Sequence, residues 1–254
     1  MQSTALSQSA WPDEYRRRLA PVFAAAALLL ASGSDAAELL PGVGALDRRL
    51  AVDVGLPPWN AIAKVQTNIA TRCTGALVGP DIVMTAAHCL YNRRTHALLQ
   101  PGSLHVLFGY ERGGYFRHAQ VLRYVLGDGF DGAEPARHPT SDWARLELAE
   151  AVPPSVEPLK LSEEFPLPGT AVALPGYNQD RIHRLMADTS CRITGISMIR
   201  GERLLTHDCS ATRGTSGGPL LARRGNHWEA VGINIAVTAS ENIALPVTAL
   251  PKAR

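Results

Sequence analysis

The chain has 254 residues, of which 46% are hydrophobic and 19% charged, so it is globular rather than disordered. Its formal net charge is +2 and no extended basic block occurs, so nothing argues for a nucleic-acid partner. The 22 glycines and 18 prolines favour turns and short strands over long helices.

The first element in chain order reads as a targeting segment. Arg16, Arg17 and Arg18 form a positive cluster, an apolar run follows over residues 19–31, and Ser34 and Ala36 have the spacing a signal peptidase reads. A membrane span needs about 20 apolar residues, more than this run supplies. The expectation is a cleaved signal peptide over residues 1–36. The mature chain, 37–254, is then secreted or periplasmic, with no stable membrane span.

Short apolar runs then alternate with turn signals. Strands are expected over residues 62–69, 74–78, 82–86, 104–108, 119–125 and 143–148. A Pro-rich stretch, about 152–168, reads as a linker. Six more strands follow, over 170–174, 191–196, 204–208, 220–222, 230–234 and 243–246. No ten-residue helical pattern separates them, which argues against an α/β fold. The pattern is all-β in two similar halves, about 57–151 and about 169–250.

The four cysteines, Cys73, Cys89, Cys191 and Cys209, allow three pairings. Pairing neighbours in sequence closes loops of sensible size, and an even count behind an export signal suggests disulfides. No Cys-x-x-Cys or His-x-x-x-His spacing supports a metal site, and no carboxylate cluster has Ca²⁺-loop spacing. No metal or cofactor is expected.

Three segments carry chemistry. Thr85-Ala86-Ala87-His88-Cys89 ends an apolar strand. Ser141-Asp142-Trp143 places an acid just before another strand. Gly214-Thr215-Ser216-Gly217-Gly218-Pro219-Leu220 sets a serine among glycines. A serine hydroxyl needs a base to become a nucleophile, and a histidine with a near-neutral pKa can supply one. An aspartate can fix the imidazole tautomer and stabilise the imidazolium. Glycines let the turn aim the amide N–H groups of Gly214 and Ser216 at one point, as an oxyanion hole requires. The other seven histidines lack such context and read as surface or structural.

The order His88, Asp142, Ser216 across the linker resembles the chymotrypsin-like serine proteases. The motifs around all three residues are similar, as is Trp228 through Ile233, and the likeness spans about residues 57–250. It implies two six-stranded antiparallel β-barrels with the active site in the cleft between them, and a Ser-His-Asp endopeptidase acting on polypeptides. It also implies that Cys73–Cys89 is the disulfide beside the catalytic histidine. The α/β-hydrolases, which share Gly-x-Ser-x-Gly, run Ser, acid, His. After Ser216 only His227 follows, with no acid between them. A non-catalytic binding protein on the same fold and an esterase with the same triad are the alternative functions.

The chain departs from the trypsin pattern. Family zymogens pair a newly freed N-terminal amine with an Asp just before the serine, and here that position is Thr215. No Ile-Val-Gly-Gly precedes His88. The oxyanion loop is therefore expected to be ordered some other way, as in the bacterial branch that includes the glutamyl endopeptidases, and no zymogen cleavage beyond signal removal is expected. Pro58-Trp59-Asn60-Ala61-Ile62 is similar to that branch. Cys209 precedes Ser216 by seven residues, and pairing with Cys191 would brace the pocket wall. Pro246 and Pro251 disfavour a long terminal helix. By the resemblance, Ser210 and Ala211 belong to the pocket base, Asn234 to its wall, and Arg213 beside the oxyanion loop. Ser210, Ala211 and Asn234 do not select a charged side chain as the family's acidic or histidine residues do, so a neutral or small apolar residue is expected at the cleavage position. Arg213 reads as a solvated surface arginine, with the alternative that it favours an acidic neighbour.

Overall fold

The computed structural model describes residues 40–238 and 241–251. The expected signal peptide and the start of the mature chain near residue 37 lie outside them.

Alternation of buried and exposed side chains sets the strands. In β6 (Ala144–Leu148), Ala144, Leu146 and Leu148 point inward while Arg145 faces out, the period of two of a half-buried strand. With β1 (Ile62–Thr67), β2 (Arg72–Gly79), β3 (Ile82–Thr85), β4 (Leu104–Phe108) and β5 (Arg117–Leu126), it closes an antiparallel barrel in the order β1-β2-β3-β6-β5-β4. β7 (Ala171–Gly176), β8 (Met186–Ile199), β9 (Glu202–His207), β10 (Pro219–Arg224), β11 (His227–Val237) and β12 (Asn242–Pro246) close a second. Its order is β8-β7-β10-β11-β12-β9, with β9 pairing back onto β8. The molecule is thus two closed six-stranded barrels. One apolar cluster runs through both, from Ile62, Val83 and Leu146 to Leu204, Leu221 and Ile233.

Element boundaries differ from the sequence expectation where the backbone turns. The first strand stops at Thr67, because Ala70 takes φ +64° and Thr67 N–H reaches Thr71 O, leaving Ile69 exposed in the turn. The sixth begins at Ala144, one residue late. β8 is a 14-residue strand rather than the short run expected. The Pro-rich segment is hydrogen-bonded to both barrels. Val152 and Leu159 donate to Pro80 O and Leu77 O in the first, and Lys160–Leu161 pairs in parallel with Glu229–Ala230 of β11. After Pro246 the described residues contain only the short turn Val247–Ala249.

Residues 40–51 lie against the second barrel. Ala211 N–H and Asn242 Nδ2 donate to Gly42 O, and the Ser210 hydroxyl donates to Val43 O at 2.9 Å. Leu50–Ala51 then pairs antiparallel with Met186–Ala187 at the edge of β8.

Candidate active site

His88 sits in a short turn, Ala87–Leu90, at the end of β3. Asp142 follows the turn Pro139–Ser141 and is 3% exposed. Both Asp142 oxygens hold the histidine: Oδ1 accepts the His88 backbone N–H at 2.8 Å, and Oδ2 lies 2.7 Å from Nδ1. Donating Nδ1–H to the carboxylate leaves Nε2 as a proton acceptor, the tautomer a general base needs.

The serine loop comes from the second barrel and is tied to the first through Thr74 of β2. Thr74 N–H donates to Ser216 O at 2.9 Å, and Thr74 Oγ1 donates to Gly214 O at 2.8 Å. Ser216 O is also 3.9 Å from Cys89 Sγ, next in sequence to His88, so serine and histidine loops meet. Gly214 takes φ +94° and Gly217 φ +83°, the left-handed region that favours glycine. A Cβ on Gly217 would lie 2.2 Å from Thr74 O and from Thr85 Oγ1. Among the described residues no acceptor takes the N–H of Gly214 or of Ser216, although the neighbours Thr215, Gly217 and Gly218 all donate within the protein.

Two cavities flank this arrangement. One, about 280 Å³, lies in the cleft between the barrels, with His88 and Asp142 on one side and Leu204, Ile235 and Ile243 on the other. The second, about 420 Å³, opens between Thr212–Arg213 of the serine loop and Val237 of β11, with Leu40 and Pro41 on its rim. Of the four residues expected around a substrate pocket, Arg213 lines this cavity. Ser210 and Ala211 are buried beneath the 40–51 segment, their polar groups taken by Val43 and Gly42. Asn234 is also fully buried, its Oδ1 3.1 Å from Nε2 of His207. Burial pushes the His207 imidazole down to about 4, so it stays neutral.

Cys73 is bonded to Cys89 and Cys191 to Cys209. The first disulfide anchors the histidine turn to β2. The second joins β8 to the segment entering the serine loop. Cys73, His88 and Cys89 cluster within reach of one ion, but both thiols are spent in the disulfide, so no thiolate is left to bind a metal.

One group at the site was not legible in the sequence. Asn178 lies past the end of β7, and its Oδ1 accepts from Thr212 N–H at 2.9 Å, Thr215 Oγ1 at 3.0 Å and Arg49 Nη1 at 2.8 Å. Arg49, 3% exposed, makes a two-pronged pair with Asp180 and a second with Asp47, all at 2.8–2.9 Å. Hydrogen bonds from Arg49 hold the Asp47 carboxyl below its ordinary value. Burial pushes the Asp180 carboxyl up, but bonds from Arg49 and Thr212 outweigh it and the net shift is downward. The only sequence trace is the charged run Asp47-Arg48-Arg49, which by itself reads as a solvated face.

Residues 51–251 match the family model for trypsin, and the chain belongs to that family of chymotrypsin-like serine proteases. It is similar to a glutamyl endopeptidase of Bacillus licheniformis, 25% identical over 192 residues, covering 75% of this chain and 57% of that protein's length. It is also similar to human granzyme M, 27% identical over 190 residues, covering 65% of this chain and 69% of that protein. Among solved structures it resembles a Glu endopeptidase in complex with MPD, with a TM-score of 0.66 and 21% identity, covering 79% of this chain and 91% of the other. The likeness to the solved structure shows a shared fold.

Proposed function

We propose that the chain is an exported serine endopeptidase that cleaves polypeptides through Ser216, His88 and Asp142. The observation that carries this reading is the His88–Asp142 pair, both carboxylate oxygens engaged, held against a glycine-built serine loop with two free N–H groups. In the reaction, Ser216 Oγ attacks the scissile carbonyl carbon and its proton passes to His88 Nε2. The oxyanion accepts from the N–H groups of Gly214 and Ser216. The C–N bond then breaks, and His88 gives the proton to the leaving amine. Water, deprotonated by His88, attacks the acyl-enzyme; the ester bond breaks and the proton returns to Ser216. Each donor in the hole is worth about 3 kcal/mol in the transition state.

Export is supported by the two disulfides, which persist in oxidising compartments. No helix among the described residues is long and apolar enough to cross a membrane. Leu40, Pro41 and Val237 give the larger cavity an apolar side, and Asp180 and Arg213 line it with opposite charges, a balance that supports a neutral or small apolar side chain at the cleavage position. The test is labelling by a fluorophosphonate beside a Ser216→Ala control, followed by a peptide library. Labelling lost in the control supports the reading, and equal labelling of both removes it. Strict cleavage after Arg or Lys would discard the specificity.

A further inference from the structure

We propose that Arg49 is the positioning residue that orders the oxyanion loop, acting through Asn178 and Asp180 in place of an amine–aspartate ion pair. The proposal rests on the peptidase reading above and deepens it. Thr215 occupies the position where trypsin-type enzymes place the aspartate. Its side chain is 1% exposed, so its hydroxyl must find a partner inside the protein. It donates to Asn178 Oδ1, the same atom that receives the Thr212 N–H and the Arg49 guanidinium. Thr212 is gripped a second time, its Oγ1 donating to Asp180 Oδ1 at 2.8 Å. Thr212 and Thr215 bracket Arg213 and Gly214, so both ends of the segment that presents Gly214 N–H are fixed to one polar cluster.

Arg49 is the member that holds the cluster together. Its guanidinium touches Asn178 and Asp180 on the loop side and Asp47 on the other. A planar fork with five donors meets that set, and a single ammonium does not. Arg181 closes the arrangement by donating to Arg49 O at 3.1 Å and to Asp47 Oδ2 at 2.7 Å. The Leu50–Ala51 strand pins the backbone immediately after Arg49 to β8. Arg49 touches neither Ser216 nor the cleft, so its effect on catalysis must pass through the loop.

The experiment compares wild type, Arg49→Met, Arg49→Lys and Thr215→Val in three readouts: thermal melting, the rate of fluorophosphonate inactivation, and kcat and KM on one peptide. Arg49→Met is expected to melt cooperatively yet to inactivate about 100-fold more slowly, as when an oxyanion donor is lost. The loss should fall on kcat, with KM within about threefold of wild type. Arg49→Lys should recover part of the rate, since an ammonium restores charge without the fork. A folded Arg49→Met that inactivates within about threefold of wild type overturns the proposal, and so does a loss confined to KM. If Arg49→Met does not fold, Thr215→Val decides, because it leaves the Arg49 pairs intact: inactivation slowed by about tenfold supports the proposal, and an unchanged rate overturns it. If wild type and Ser216→Ala are equally unlabelled, the peptidase reading itself fails and takes the proposal with it.

Discussion

Lys64, on β1, is 2% exposed, and no carboxylate pairs with it among the described residues. Its ammonium sits 3.6 Å over the Tyr110 ring and donates to Ile182 O at 3.3 Å. Burial first, and the nearby charge of Arg72 second, push it down to about 8. Between that value and its unperturbed 10.5, the folded chain has released a proton that the unfolded chain keeps. Stability contributed by this group therefore rises as pH climbs through that window. Replacing a buried ion with an apolar side chain of similar volume is often stabilising. Lys64→Met is accordingly expected to stabilise the protein by on the order of 1 kcal/mol near pH 7, with the gap closing toward about pH 10. Thermal melts of both proteins across that range check it, and a gap independent of pH would rule the account out.

At the scale of elements, the glycines of the serine loop set hard limits. Gly217→Ala adds a methyl where Thr74 O and Thr85 Oγ1 already sit, at φ +83°. The loop must move off β2 or the strand must yield, at a cost of about 1–3 kcal/mol for the strained backbone alone. Fluorophosphonate labelling of this variant should fall to the Ser216→Ala level, and a wild-type rate would show that the contact with Thr74 is dispensable. A serine among glycines reads by itself as a turn as readily as a nucleophile, and it is the order of His88, Asp142 and Ser216 with their flanking motifs that singles the loop out in the sequence. Strands were readable where their inward face is uniformly apolar, as in β4 and β6. β8 was read short because Asp188 is polar yet fully buried, accepting from Ser190 N–H, Ser210 N–H and Arg48. Arg49 and Asn178 were invisible for a related reason. They meet across 129 positions of sequence, and no local pattern encodes a hydrogen bond of that span.

Across the whole molecule, the barrels share polar ties as well as one apolar core. Thr74 in the first holds Gly214 and Ser216 in the second. Glu202 of β9 reaches back to Thr140, accepting from its N–H and its hydroxyl at 2.8 and 2.6 Å, beside the turn that presents Asp142. Neither barrel can open without exposing apolar surface of the other, so with disulfides intact one cooperative thermal transition is expected. Two resolved calorimetric peaks would show instead that the halves are independent folding units. The Arg49 strut has its own bearing on the conditions the molecule tolerates. A guanidinium keeps its proton beyond about pH 12, whereas a free α-amine gives its proton up near pH 8 and one paired with a carboxylate at a pH above that but still short of the guanidinium's. Alkaline media, in which an amine-based strut lets go, leave this one charged, so the alkaline limit of the loop is set by unfolding rather than by the titration of its anchor.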